Sequence, residues 1–221
     1  MHDMTDHTTS SIFTYQYVDL PRVPEELVTE AKIIANDPDN NTWVNNQIIE
    51  SCHGRLVYDD GKLVGSSTMF QCKKFNTEYE IWLEKNILCN HGIKKVFKYS
   101  GITVSKPGYD FSGPHVDASR NFVLLYVIEN PNDADNNPQI TKFWKQKKDV
   151  ESNSAYDDFS NFELMDQAIF PKHQWVLMNG QCVHSVSNIS AGRISLQIAL
   201  DQRPILQTKE VIYNVKEKIH G

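Results

Sequence analysis

The pattern of apolar and polar positions changes character near residue 95. Upstream, segments 24–34 and 76–88 carry apolar residues at helical spacing, so each is predicted to be an amphipathic helix. Between them, segment 55–64 has Asp60-Gly61 at its centre, which predicts a β-hairpin. The first part of the chain therefore leans towards helix.

Downstream of residue 95 the pattern is typical of short strands separated by turns. The run FVLLYVI is continuously apolar, as in a strand that is covered on both faces. Asn179-Gly180 and Ala191-Gly192 are the turn signals between the last three strands. The predicted strands are 96–104, 122–128, 140–144, 175–178, 183–189 and 193–200.

Together these elements predict a mainly β protein with flanking helices, in which many short antiparallel strands form a barrel or sandwich. We expect one domain over 11–221, preceded by a loose polar N-terminus at 1–10. Within the domain, 11–95 would be a helix-rich buttress, 96–201 the β core and 202–221 a C-terminal extension.

Composition narrows the function classes. The 221 residues carry a formal net charge of -6, which gives the chain no global attraction to phosphate backbones, so no nucleic-acid partner is expected. The four cysteines form no C-x-x-C pair and fit reduced thiols, so we expect a cytoplasmic protein. No apolar run is long enough to span a bilayer, and no membrane partner is expected.

Candidate chemistry begins at His115-Val116-Asp117. Residues i and i+2 of a strand share a face, so this histidine and this aspartate would point the same way. With 8 histidines and 28 acidic residues, about one H-x-[DE] match arises by chance, so the motif needs its context. Asp117 lies just before the apolar run 122–128, at the mouth of a packed sheet, where a ligand pocket is plausible.

His184 lies on a predicted strand after the Asn179-Gly180 turn. Two histidines and one carboxylate form the facial triad that holds non-haem Fe(II). The alternative is a structural histidine with its hydrogen bonds satisfied, and the strand pattern leaves both interpretations open.

The last predicted strand alternates strictly, with Arg193, Ser195, Gln197 and Ala199 on one face. If that face is interior, the arginine needs an anionic partner, because an unpaired buried guanidinium is too costly. A small dicarboxylate would fit, since the planar guanidinium binds carboxylate bidentately. The alternative is an edge-strand arginine in solvent.

These residues, in this order and spacing, resemble the motif of the Fe(II)- and 2-oxoglutarate-dependent oxygenases. The motif is H-x-D, a distal histidine, and a basic residue about ten positions later; here Arg193 follows His184 by nine residues, and Ser195 gives the R-x-S form. The resemblance covers roughly residues 96–201.

The resemblance implies a double-stranded β-helix core, also called a jelly roll and cupin-like. It implies a dioxygenase, most often a hydroxylase, that couples decarboxylation of 2-oxoglutarate to oxidation of an unidentified substrate, which could be a small molecule or a protein side chain. Fe(II) and dioxygen are the other requirements. The implied catalytic metal ligands are His115, Asp117 and His184, and the implied 2-oxoglutarate ligands are Arg193, Ser195 and Tyr126.

Two other interpretations were weighed. Nucleic-acid demethylases of the same superfamily usually carry a second arginine six residues after the first, and here that position holds Ala199. A non-catalytic jelly-roll module that binds a metal or ligand remains the alternative function.

Overall fold

The helices lie in the N-terminal part, as predicted. The computed structural model describes residues 13–36, 56–59, 62–70, 73–93, 100–105, 111–117, 120–130, 139–147, 159–187 and 193–210. Helix α1 spans Glu25–Asn36, and its first-turn acidic residues complement the helix dipole. Helix α2 spans Lys73–Leu83 and continues through a π-helical turn, Glu84–Leu88, to a last turn at Cys89–His91.

Strands dominate the rest of the described chain. They are β1 (Tyr15–Val18), β2 (Leu56–Asp59), β3 (Lys62–Phe70), β4 (Gly101–Ser105), β5 (Phe111–His115), β6 (Phe122–Glu129), β7 (Ile140–Gln146), β8 (Phe162–Ala168), β9 (Trp175–Asn179), β10 (Val183–Ser187) and β11 (Ile194–Leu200). The mainly β fold with flanking helices is therefore confirmed.

The strands form two antiparallel sheets. The larger sheet has the order β1-β9-β6-β11-β4-β3-β2, and the smaller has the order β5-β10-β7-β8. Phe143 and Ala168 of the smaller sheet pack in one buried cluster with Val123, Leu125 and Val127 of β6. The two sheets therefore face each other across an interior, which we call the sandwich interior.

The other face of the larger sheet carries the main hydrophobic core. Leu124 and Ile128 of β6 alternate with the interior residues and join a cluster that includes Leu27, Tyr79 and Leu83 of the two helices. Strand β6 is thus covered on both faces, which explains its unbroken apolar run and confirms that prediction.

The sequence pattern missed three strands and shifted some boundaries. Strands β1 and β5 were not predicted, and neither was β8, whose alternation is blurred by several exposed or half-exposed positions. Strand β4 begins at Gly101 rather than at 96, with 94–99 outside the described residues, and α2 begins at Lys73 rather than at 76.

Part of the predicted C-terminal extension completes the larger sheet. The backbone N–H of Asp19 donates to the carbonyl of Gln207 at 3.0 Å, and that of Lys209 donates to Tyr17 at 2.9 Å, so this segment runs along β1. No helix in the described part of the chain is both long and apolar enough to cross a bilayer.

The core between the larger sheet and the helices should dominate stability. Leu177 is fully buried there, whereas Ile33 on α1 is 64% exposed. Leu177→Ala should lower the free energy of unfolding by about 2–5 kcal/mol, because the side chain leaves a cavity. Ile33→Ala is the matched control and should change it by less than about 0.5 kcal/mol. Urea denaturation followed by circular dichroism measures both, and equal effects would contradict this account of the core.

Candidate metal centre

Strand pairing places the two candidate histidines face to face. His115 ends β5 and is the register partner of His184 on β10, and directly opposed residues of antiparallel strands share a face. Their ring centroids are 4.2 Å apart. On its other side His184 pairs with Phe143, a fully buried member of the interior cluster. Both histidines therefore lie on the interior face of the smaller sheet.

Asp117 reaches the same point from a loop. Strand β5 ends at His115, so the shared strand face expected for His115 and Asp117 is not what positions the carboxylate. Instead, the Asp117 N–H donates to the carbonyl of Gly180 at 2.7 Å, and the Gln181 side-chain amide donates to the carbonyl of Asp117 at 2.7 Å. One ligand atom from each of the three residues then lies within 4.8 Å of the others.

One hydrogen bond of His184 determines which ring nitrogen carries the proton. Nδ1 lies 2.9 Å from the carbonyl oxygen of Cys182. Because a carbonyl only accepts, Nδ1 must donate, which leaves the lone pair on Nε2. A histidine held in this way is oriented as metal ligands usually are.

Only one of the two Asp117 carboxylate oxygens accepts a hydrogen bond in the described part of the chain. Its Oδ1 accepts a hydrogen bond from Nη2 of Arg120 at 3.0 Å. Its Oδ2 is buried and has no hydrogen-bond partner in the part of the chain that the structure describes. Leaving such an oxygen unpaired is expensive, and a cation would satisfy it. Two imidazoles and one carboxylate oxygen suit a divalent first-row metal, so these residues fit Fe(II).

A second polar region lies on the interior face of β11. Ser195 is buried and pairs with Val127, a member of the interior cluster, so the alternating face that carries Ser195 is the inner one. Arg193 immediately precedes this strand, and its Nε is buried without a hydrogen-bond partner among the described residues. Burial lowers the pKa of the Arg193 guanidinium to about 10, so it stays charged at neutral pH.

Thr103 adds to this region and was missed by the sequence analysis. It is the register partner of Ser195 on β4, and its Oγ1 is also buried without a partner in the described chain. Its sequence context, a threonine in a short apolar strand, carries no signal of this role. A buried cation beside hydroxyl groups is suited to bind a small anion, so these residues fit the distal carboxylate of 2-oxoglutarate.

Arg120 connects the two polar regions. Its Nη1 donates to Oε1 of Gln197 at 2.8 Å, while Nη2 holds Asp117. Gln197 is buried on β11, two residues after Ser195 on the same face. The alternation of β11 predicts Gln197 on the face shared with Arg193, whereas no sequence pattern indicates Arg120, because its partner lies 77 residues away.

Tyr126 does not reach the site, and its predicted role as a ligand of the 2-oxoglutarate carboxylate is corrected. It belongs to the core cluster on the helix side of β6, with its ring 5.0 Å from that of Trp175. Burial raises the pKa of its phenol, and the backbone of Val23 is its hydrogen-bond partner. The parity of β6 points the tyrosine away from the sandwich interior, where Val127 lies instead.

Comparison with solved structures identifies the fold. The non-haem α-ketoglutarate-dependent carbocyclase SnoK from nogalamycin biosynthesis matches with a TM-score of 0.53 and 12% identity, over 88% of this chain and 82% of that one. The non-haem α-ketoglutarate-dependent epimerase SnoN from the same biosynthesis matches with a TM-score of 0.52 and 13% identity, over 85% and 78%.

A structure of SnoN in complex with Fe3+, α-ketoglutarate and nogalamycin RO matches with a TM-score of 0.51 and 12% identity, over 85% of this chain and 79% of that one. No protein-family model and no curated protein sequence matches the chain. Sequence identity at this level identifies the fold alone. The chain therefore has the double-stranded β-helix, or jelly-roll, fold of these α-ketoglutarate-dependent enzymes, as the sequence motif predicted.

Proposed function

We propose that the protein is an Fe(II)- and 2-oxoglutarate-dependent dioxygenase. The observation that carries the proposal is the cluster of His115, Asp117 and His184, whose ligand atoms lie within 4.8 Å of one another. The buried, unpartnered Oδ2 of Asp117 and the orientation of the His184 ring by its Nδ1 hydrogen bond support it, because a metal would use the carboxylate oxygen and the Nε2 lone pair. 2-Oxoglutarate is the compound that the names of the structural neighbours call α-ketoglutarate.

The assignment of 2-oxoglutarate as the cosubstrate rests on the positive charge of Arg193. Arg193 carries a buried donor with no partner in the described chain. Ser195, two residues later on β11, and its register partner Thr103 on β4 share the interior face of the larger sheet. A dicarboxylate would bring one carboxylate to this cation and leave its 2-oxo acid end for the metal centre. The structure of SnoN with Fe3+ and α-ketoglutarate supports the assignment by analogy of fold.

The residues of the chain then have distinct tasks. When bound, Fe(II) supplies the activation of dioxygen that couples oxidative decarboxylation of 2-oxoglutarate to oxidation of a substrate. His115, Asp117 and His184 would hold it, and Arg193 and Ser195 would orient the cosubstrate. The apolar cluster around Phe143 would keep water out of the interior behind the metal centre.

The proposed outcome is hydroxylation of a small molecule or a protein side chain. The solved neighbours are named as an epimerase and a carbocyclase, so the same fold also serves other oxidative outcomes. A non-catalytic module that binds a metal or ligand is the second candidate, and it would bind the same groups without releasing succinate.

Succinate release tests the proposed function. The wild type should release succinate from 2-oxoglutarate when supplied with Fe(II), dioxygen and a panel of candidate substrates. His115→Ala should abolish this release, because two remaining ligands hold the metal too weakly. His91→Ala removes an exposed histidine of α2 and is the matched control, expected to keep wild-type activity. Full activity and full iron content in His115→Ala would refute the proposal.

Arg193→Gln tests the cosubstrate site. Truncating one member of a buried charge pair costs about 2–5 kcal/mol, so the Kd for 2-oxoglutarate should rise on the order of 100-fold. 2-Oxopentanoate lacks the distal carboxylate and should bind the wild type and the variant equally weakly. Anaerobic calorimetry of the metal-loaded protein measures all four combinations, with Arg203→Gln as the control. Equal loss of affinity for both acids would show that Arg193 does not bind the distal carboxylate.

A further inference from the structure

We propose that Arg120 and Gln197 form a clamp that positions the Asp117 carboxylate for metal binding. The inference rests on the proposed function, because it concerns the same metal centre. In this clamp Arg120 is the positioning residue and Gln197 is its anchor. Neither is among the three ligands, and each acts through Asp117.

The clamp restricts rotation of the Asp117 carboxylate about its terminal torsion. The terminal torsion of an aspartate side chain is broad, so nothing in the side chain itself decides which oxygen faces the two histidines. The hydrogen bond from Arg120 Nη2 to Oδ1 at 3.0 Å removes that freedom. It turns one oxygen outward and leaves Oδ2 buried and unpartnered among the described residues, as the one atom available to a cation.

The guanidinium is itself fixed at two points, and the backbone of the same residue at a third. Its planar group places Nη1 and Nη2 in a rigid relation, so the bond from Nη1 to Gln197 at 2.8 Å determines the direction of Nη2. The backbone carbonyl of Arg120 accepts a hydrogen bond from the Gln181 side chain at 2.8 Å. The Arg120 side chain is 21% exposed and the Asp117 side chain 7%, so the pair is only partly screened by water.

The turn at Gly180 closes the remaining side of the carboxylate. A Cβ added to Gly180 would lie 2.8 Å from the carbonyl oxygen of Arg120 and 3.1 Å from Oδ2 of Asp117. A glycine therefore lets the backbone lie against both members of the pair. The carboxylate is held by the turn on one side and by the guanidinium on the other.

Charge alone does not account for the arrangement. A guanidinium beside a metal ligand repels a divalent cation, so its positive charge works against metal binding. The benefit must come from geometry. Variants that keep the positive charge at position 120 but disturb the hydrogen-bond geometry distinguish the effect of charge from the effect of positioning.

Two such variants test the clamp. Gln197→Leu removes the anchor and leaves Arg120 charged, and Arg120→Lys keeps the charge but replaces the two-pronged group with a single ammonium. Changes to residues that orient metal ligands typically cost about 10–100-fold in metal affinity. Both variants should therefore raise the Kd for Co(II) by about tenfold or more, and both should change the visible absorption spectrum of the bound Co(II), which reports coordination geometry.

Each variant has a matched control in this chain. Gln174→Leu removes a buried glutamine that bonds the carbonyls of Val18 and Trp175 away from the site. Arg203→Lys alters an arginine that lies over the ring of Phe13, 3.5 Å from its centroid. Both controls should keep the wild-type Co(II) Kd and spectrum, even where they lower the melting temperature. If Gln197→Leu does not fold, Arg120→Lys carries the test.

Wild-type Kd and spectrum in both clamp variants would overturn the clamp while leaving the proposed function standing. Absence of Co(II) binding by the wild type would instead overturn the metal centre, and the clamp with it. A raised Kd with an unchanged spectrum would also overturn the clamp, because it would show that the carboxylate keeps its position when the anchored guanidinium contact is lost.

Discussion

The contact of Asp117 and Asn121 with the Asn179–Cys182 turn is the interaction on which the site depends. The Asp117 N–H bonds the Gly180 carbonyl, and the Gly180 N–H bonds the carbonyl of Asn121 at 2.9 Å. This contact joins the end of β5 to the start of β10, so the carboxylate arrives beside two histidines that strand pairing has already placed together. Without it, His115 and His184 would be a pair of neighbouring strand residues with no third ligand.

The two faces of the larger sheet have different roles: one packs in the main core, and the other lines the candidate site. Its outer face packs against the helices and supplies the main hydrophobic core, whereas its inner face carries Ser195, Gln197 and Thr103 beside apolar residues. The buried polar groups of the candidate site thus face the sandwich interior and not the helices. The helices therefore stabilise the domain from the face opposite the candidate site. Tyr126 points to that helix-covered face, so it belongs to the core and not to the site.

Much of the fold and of the metal centre could be predicted from the sequence, and the limits have physical causes. Period-two alternation revealed β11, and an unbroken apolar run revealed β6. The spacing of His115, Asp117, His184 and Arg193 indicated the candidate metal centre and the proposed anion site. Strand β8 was missed because its side chains are largely exposed, so it lacks a clear apolar face.

Contacts between distant segments could not be predicted in the same way. Arg120 was missed because its role depends on Gln197, and Thr103 because its role depends on a strand partner. The predicted face of Tyr126 was wrong because the alternation of side chains in a strand cannot be counted through a turn that precedes it. The sequence shows which residue types are present. The proposed roles of these residues depend on which distant residues the fold places beside them.

The central claim is that one metal and one 2-oxo acid bind together at His115, Asp117 and His184. Anaerobic addition of 2-oxoglutarate to the Fe(II)-loaded protein tests it most directly. The account predicts a weak visible charge-transfer band that saturates at one 2-oxoglutarate per iron. A titration in which iron binds but 2-oxoglutarate produces no such band would contradict it.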